Sequence, residues 1–501
     1  MVDQPLFNHQ IAAADFVVRN GGTGALFHEM GLGKTRTALE IFRRLREKEP
    51  VKLLVVCPVS LLNAAWAEEV ELLKSMRHVS FRYMNLRERP KKSGQKWSVD
   101  VDAEIILMNF EMLIQEAHFG WIRQMVSKDG PWMLVVDESS RMKNHESKTT
   151  KALLSLRHFF KYRVVMSGTP APNEETEYWA QLELLQPGIL HHSFYGFRNI
   201  FFHLKDKHTG RTRPAAGFGS KQEAFEAFRK GWGYALNPAM RPELQSRLEQ
   251  IAHIARKADC LDLPPEVDEV RKVEMGAAQR KAYEDMRRHL VAEIQGQEIA
   301  AMAALAKIMK LRQITSGFAY NAEGEALEVR NADLSGTTFS GPIADEFQNP
   351  KLEELMRVAE EAGQEQVIVW CTFRWEILKV CHELYKKYGD GQVVTLYSGT
   401  KDRDGSIDAF KKGQARFLVA HARSAAHGLT FVNCAIEVFL SLDYSWESYE
   451  QARARIHRAG QKRSCTYVHI VAKDSIDEKI LDILRRKADA QELIYFVAEK
   501  A

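Results

Sequence analysis

The sequence predicts an α/β protein built as two doubly wound domains in succession. Three observations predict it: two series of short apolar runs, helical spacing between the runs, and a prolyl break between the series. In the first half the runs lie at 25–27, 52–57, 104–108, 133–136 and 163–166. In the second half they lie at 366–370, 393–397, 416–419, 438–442 and 467–472. They are rich in Val, Ile and Leu and do not alternate with polar residues. Strands buried on both faces of a parallel sheet read this way. Between runs, Ala38, Ile41, Phe42 and Leu45 mark one apolar face of a helix.

The break is Leu261-Asp262-Leu263-Pro264-Pro265, because a Pro-Pro pair continues neither a helix nor a central strand. The expected domains are therefore 1–260 and 261–501. Two stretches fit neither series and read as insertions: 188–250, aromatic and basic and then helical, and 275–345, helical and then polar.

Bulk properties bound the function. A chain of 501 residues is too long for one core. Its 45% hydrophobic and 27% charged residues suit an ordinary globular protein. No run reaches the roughly 18 apolar residues of a membrane helix. The start, Met1-Val2-Asp3-Gln4-Pro5, reads as no secretion signal, so a cytoplasmic protein is expected; a monomer is expected as well. The six cysteines form no CxxC pair, which argues against a zinc site or disulfide framework. Net charge is +4, so any nucleic-acid site must be a local patch.

The chemistry begins after the first run, at Met30-Gly31-Leu32-Gly33-Lys34-Thr35. Glycines there let backbone N–H groups turn toward a phosphate, and the helix start adds positive potential. Lys34 is placed to reach the β- and γ-phosphates of a nucleotide and Thr35 to ligate Mg²⁺. His28 stands where the strict pattern has glycine. Asp137 and Glu138 end the fourth run. Two carboxylates at the end of a buried strand are costly without a cation or water chain. Asp137 suits a magnesium ion held through waters, and Glu138 suits a base for the attacking water. Ser167-Gly168-Thr169-Pro170 is either a strand-ending turn or a link from this acid pair to the neighbouring domain. Gln10 has the donor and acceptor an adenine edge needs.

The second half has no second phosphate loop. It has Gln451-Ala452-Arg453-Ala454-Arg455-Ile456-His457-Arg458-Ala459-Gly460-Gln461. On a helix Gln451, Arg455 and Arg458 share one face. Arginines brought to the γ-phosphate by a partner domain are worth about 10³–10⁵ in rate in comparable phosphoryl-transfer enzymes.

Together these motifs resemble helicase superfamily two, and within it the SWI/SNF-type DNA translocases. The string 29–35, Val56-Cys57-Pro58-Val59-Ser60-Leu61-Leu62 with Trp66, the acid pair with Arg141 and Lys143-Asn144, and Ser167-Gly168-Thr169-Pro170 with Asn173 are similar to that family in order. So are Tyr397-Ser398-Gly399-Thr400, Ala425-Ala426-His427-Gly428-Leu429-Thr430, Asp443 with Trp446, and 451–461. The resemblance implies two RecA-like lobes and ATP bound between them. It implies movement along double-stranded or branched DNA, and roles in remodelling, annealing or branch migration. Carried over by position, Gln10 reads adenine, Met30 to Thr35 hold phosphate and Mg²⁺, Asp137 and Glu138 are catalytic, and Gln451, Arg455 and Arg458 complete the site. Ser139-Ser140 stands where the family usually has a small residue and His, Ala454 where it usually has Gly, and His28 where it usually has Asp.

DNA-backbone candidates by position are Ser60, Asn109, Ser398, Gly399 and Thr430. A second group is Lys205, Lys207, Arg211, Arg213 and Lys221, interleaved with Phe201, Phe202 and Phe218. Those aromatics either face nucleic acid or pack on the first domain. Two other functions stay open: a strand-separating helicase, which needs a wedge and stacking platform, and a nucleotide-regulated scaffold without turnover.

Overall fold

The computed structural model describes residues 5–71, 83–85, 103–128, 130–172, 174–206, 211–214, 232–296, 301–319, 345–346, 349–389, 391–422 and 429–487. The chain divides into two compact units that part between Asp262 and Leu263.

In the first unit the strands are β1 (Thr23–His28), β2 (Lys52–Cys57), β3 (Tyr83–Asn85), β4 (Ile105–Asn109), β5 (Trp132–Asp137), β6 (Tyr162–Met166), β7 (Phe202–Asp206), β8 (Thr212–Pro214), β9 (Trp232–Leu236) and β10 (Ala252–Ala255). Seven form a parallel sheet in the order β10-β1-β6-β5-β2-β4-β3. Side chains alternate along β2. Leu54 and Val56 enter a core on one face, and Leu53 and Val55 a core on the other, all fully buried. That two-sided burial is why the runs are uninterrupted, each such side chain stabilising by about 1.5–3 kcal/mol. Helix Lys34–Arg46 covers the second face with Ala38, Ile41, Phe42 and Leu45.

The insertion after residue 188 is a helix, Phe194–Phe201, followed by a small antiparallel sheet, β8-β7-β9. Helix Arg241–Glu249 then leads into β10, which pairs β1 at the sheet edge.

The second unit contains β11 (Glu266–Val273), β12 (Phe318–Ala319), β13 (Asp345–Glu346), β14 (Val367–Cys371), β15 (Val393–Leu396), β16 (Phe417–His421), β17 (Ile436–Phe439) and β18 (Cys465–Ala472). Six of these form a second parallel sheet, β11-β18-β17-β14-β16-β15. Its insertion begins with helices Ala277–Gly296 and Ala301–Thr315. Two parallel sheets, each wrapped by helices, make the fold two RecA-like α/β units. Among the described residues no helix is long and apolar enough to cross a membrane, and no group of three His, Cys, Asp or Glu side chains could hold a metal ion. Five cysteines are buried and Cys260 is half-buried, all as free thiols.

One local expectation is corrected. Gln451, Arg455 and Arg458 do not share a helix face, because helix Trp446–Arg453 ends first, with Ala454 as its cap. The terminal carbonyl of Arg453 accepts from the Tyr467 hydroxyl at 3.1 Å, and that of Ile456 from the Gln461 amide at 3.1 Å. Tyr467, from β18, takes the helix's last carbonyl in place of a further helical turn, and Gln461 closes the turn that follows. Both arginines lie in the turns that follow.

Candidate active site

The strand order places the site. Because β6 lies between β1 and β5, the loops leaving these three strands sit side by side on one edge of the sheet. They are the loop 29–33, the acids Asp137-Glu138, and the loop 167–170. The edge beyond the strand ends is where open α/β sheets bind ligands.

Gly31 (φ 91°) and Gly33 (φ 69°) take left-handed backbone that a side chain would strain, and this curls the loop. Gly33 also has no room: a Cβ there would lie 2.4 Å from Gln10 Nε2. Gln10 is buried behind the loop. Its Nε2 donates to the Gly33 carbonyl at 3.2 Å, and its Oε1 accepts from Phe7 N–H at 2.9 Å. The side chain expected to read adenine braces the loop 29–33 in this structure. Leu32 is buried, while Met30, Lys34 and Thr35 are half-buried at the loop mouth. Lys34 Nζ donates to the His28 carbonyl at 3.0 Å. His28 is fully buried, and its Nε2 is 2.9 Å from His253 Nδ1. Burial holds the His28 imidazole well below its ordinary pKa and brings His253 to about 4.

Asp137 is buried, and desolvation pushes its carboxyl above the usual range. Lys34, the indole of Trp66 and the backbone N–H of Glu138 oppose that shift. The Trp66 N–H donates to Oδ2 at 2.9 Å and the Glu138 N–H to Oδ1 at 3.0 Å. Trp66 sits on a π-helical turn, Leu62–Ala67, a widened geometry frequent at functional sites. A buried carboxylate clamped by two donors and beside a lysine suits a divalent cation shared with phosphates. Glu138 adopts φ 54°, one of two non-glycine residues with positive φ among the described residues. Such a conformation costs on the order of 1 kcal/mol and persists only where packing imposes it.

In the second unit Arg455 and Gln451 are buried and Arg458 is half-buried. Arg455 donates to the carbonyls of Gln451 (2.7 Å) and Leu429 (2.9 Å), and Arg458 reaches the same Leu429 carbonyl at 3.3 Å. The turn after the helix, not the helix itself, therefore gathers the two guanidinium groups on one atom.

The family model of the SNF2-related domain matches residues 9–317, more than half of the chain. The chain belongs to the SNF2-related family. A helicase conserved C-terminal domain matches 350–460. Among relatives of this SNF2-related protein, transcription regulatory protein SNF2 of Saccharomyces cerevisiae is 25% identical over 98% of this chain and 28% of its own length. Protein p41 of Acyrthosiphon pisum secondary endosymbiont phage 1 is 24% identical over 93% of this chain and 92% of its own. The SWI2/SNF2 ATPase core of Sulfolobus solfataricus, solved in complex with dsDNA, aligns at 21% identity and TM-score 0.42, covering 99% of this chain and 95% of that one. The SNF2-related chain thus spans about a quarter of the yeast relative and nearly all of the phage one.

The DNA candidates differ in exposure. Ser60 and Thr430 are half-buried, and Ser398 and Gly399 are exposed. Asn109 is buried, and its amide donates to Glu111 at 2.5 Å, a carboxylate that also pairs with Arg141 at 3.3 Å. Lys205 and Arg211 are exposed, and the Arg213 guanidinium lies 4.5 Å from the Trp232 ring centre. Phe201 and Phe202 are buried in the first unit's core, so they pack rather than face nucleic acid. Lys207, Lys221, Phe218, Asn173 and residues 425–428 lie outside the described residues.

Proposed function

We propose that this SNF2-related chain is a DNA-dependent ATPase that couples hydrolysis to movement along double-stranded DNA. The observation that carries the reading is the single sheet edge that holds the curled loop 29–33, Lys34 and the clamped carboxylate of Asp137. A further support is the relative named ATP-dependent helicase brm of Drosophila melanogaster, 25% identical over 99% of this chain and 29% of its own length.

In this reading the loop amides and Lys34 hold the phosphates, and Gln10 keeps the loop in shape for the adenine side of the nucleotide. Thr35 and Asp137 hold Mg²⁺, which when bound neutralises charge on the phosphates. Glu138 takes the proton of the attacking water. Arg455 and Arg458 exchange the Leu429 carbonyl for phosphate oxygens, with Gln451 shaping the turn behind them. Positive charge delivered this way stabilises the transition state. The cycle suits remodelling, annealing or branch migration of DNA, and p41 favours a phage or bacterial setting.

Two substitutions test the site. Lys34→Ala and Glu138→Gln should each abolish phosphate release and displacement of a triplex strand from duplex DNA. Near-normal turnover in either folded variant refutes the assignment.

A further inference from the structure

Helix Tyr178–Leu185 is buried along its whole length, yet its centre holds a polar residue, Gln181, at 0% exposure. A buried amide is tolerated only when its donors and acceptor are matched. Gln181 Nε2 donates to the Pro170 carbonyl at 2.6 Å and to the Glu177 carbonyl at 3.1 Å. Its Oε1 accepts from the Ser139 hydroxyl at 2.6 Å. Carbonyls only accept, so the amide orientation is fixed and Ser139 must be the donor.

The two ends of this chain of bonds matter. Ser139, also at 0% exposure, directly follows the strained Glu138. Pro170 closes the loop 167–170. In that loop Gly168 is pressed against the phosphate loop: a Cβ on it would lie 2.7 Å from Met30 Cγ and 3.3 Å from Met30 N. The loop 167–170 therefore bears on the phosphate loop through Gly168 and on the acid segment through Gln181. Ser140, at the family's usual His position, is not the partner of Gln181; its neighbour Ser139 is.

Resting on the ATPase reading above, we propose that Gln181 is a positioning residue for DNA-stimulated turnover. It binds the segment after Glu138 to the loop 167–170, so that the two shift as one body when the nucleotide changes state. Without it, Glu138 still meets water, but the response to DNA no longer reaches it.

The test compares wild type with Ser139→Ala, Gln181→Met, the double variant and Ser139→Thr. Phosphate release is measured with and without duplex DNA, together with KM for ATP and the melting temperature. Basal release and KM should stay within about threefold of wild type. DNA stimulation should fall at least tenfold in both single variants and no further in the double, and Ser139→Thr, which keeps the hydroxyl, should restore it. Ser139→Ala leaves both Gln181 donors in place and decides the matter should Gln181→Met lower the melting temperature. Wild-type stimulation in folded Ser139→Ala and Gln181→Met, or additive losses in the double variant, overturns this inference alone. A wild-type protein whose ATPase ignores DNA overturns the functional reading and this inference with it.

Discussion

Trp66→Phe isolates the support of Asp137. The indole N–H supplies one of two hydrogen bonds on this carboxylate, at 2.9 Å, the other coming from Glu138 N–H at 3.0 Å. Phenylalanine keeps most of the buried ring and deletes the donor. A hydrogen bond to a charged acceptor contributes about 1.5–3 kcal/mol, which is roughly 10- to 150-fold in an equilibrium constant. Outer-shell partners of metal ligands typically change affinity about 10- to 100-fold, in the same range. The half-saturating Mg²⁺ concentration for phosphate release should therefore rise about 10- to 100-fold. Burial already holds the Asp137 carboxyl above its ordinary range. Loss of the donor raises it further, so activity should fail at a higher pH as the solution is acidified. Melting temperature reports the cost of the smaller ring separately. An unchanged Mg²⁺ requirement in folded Trp66→Phe refutes the claim that the indole positions Asp137.

Two further predictions follow from separate parts of the first unit. His253 has a folded pKa of about 4, against an ordinary 6.5, so the unfolded chain binds the extra proton between those values. Its contribution to stability, up to about 3 kcal/mol, is complete above pH 6.5 and lost as pH falls toward 4. His253→Asn should flatten the fall in melting temperature over that window, and an equally steep fall shows that other groups control it. Replacing Lys205, Lys207, Arg211 and Arg213 together should reduce the salt dependence of duplex binding by up to about 3 to 4 in log–log slope, at roughly 0.9 per phosphate contact. An unchanged slope assigns the strands β7 and β8 to structure alone.

The fold was legible where burial on both faces forced continuous apolar runs, as at Leu53, Leu54, Val55 and Val56. It was not legible in β11, where Glu266, Asp268, Arg271 and Lys272 alternate with valines. This edge strand satisfies its charges through Arg453 on Asp268 and through Arg271 on Glu354 and Glu361, partners remote in sequence. The expected helix through Arg458 failed for a related reason. Spacing reports which residues could share a face, but Tyr467, which takes the carbonyl at the helix end, arrives from β18. At the site, the glycines and acids announce themselves by type. Trp66 was visible only as part of a string, since nothing local says that its N–H meets Asp137. Gln181 carried one signal, a lone amide between Ala180 and Leu182 in an apolar segment, but its partners Ser139 and Pro170 emerge only once β5 and β6 lie side by side.

Phosphate release from the wild-type protein, measured against a panel of duplex DNA, single-stranded DNA and RNA at equal nucleotide concentration, tests the central claim most directly. Duplex DNA should stimulate turnover most. Equal or greater stimulation by RNA, or none by any of the three, contradicts a motor that runs on double-stranded DNA.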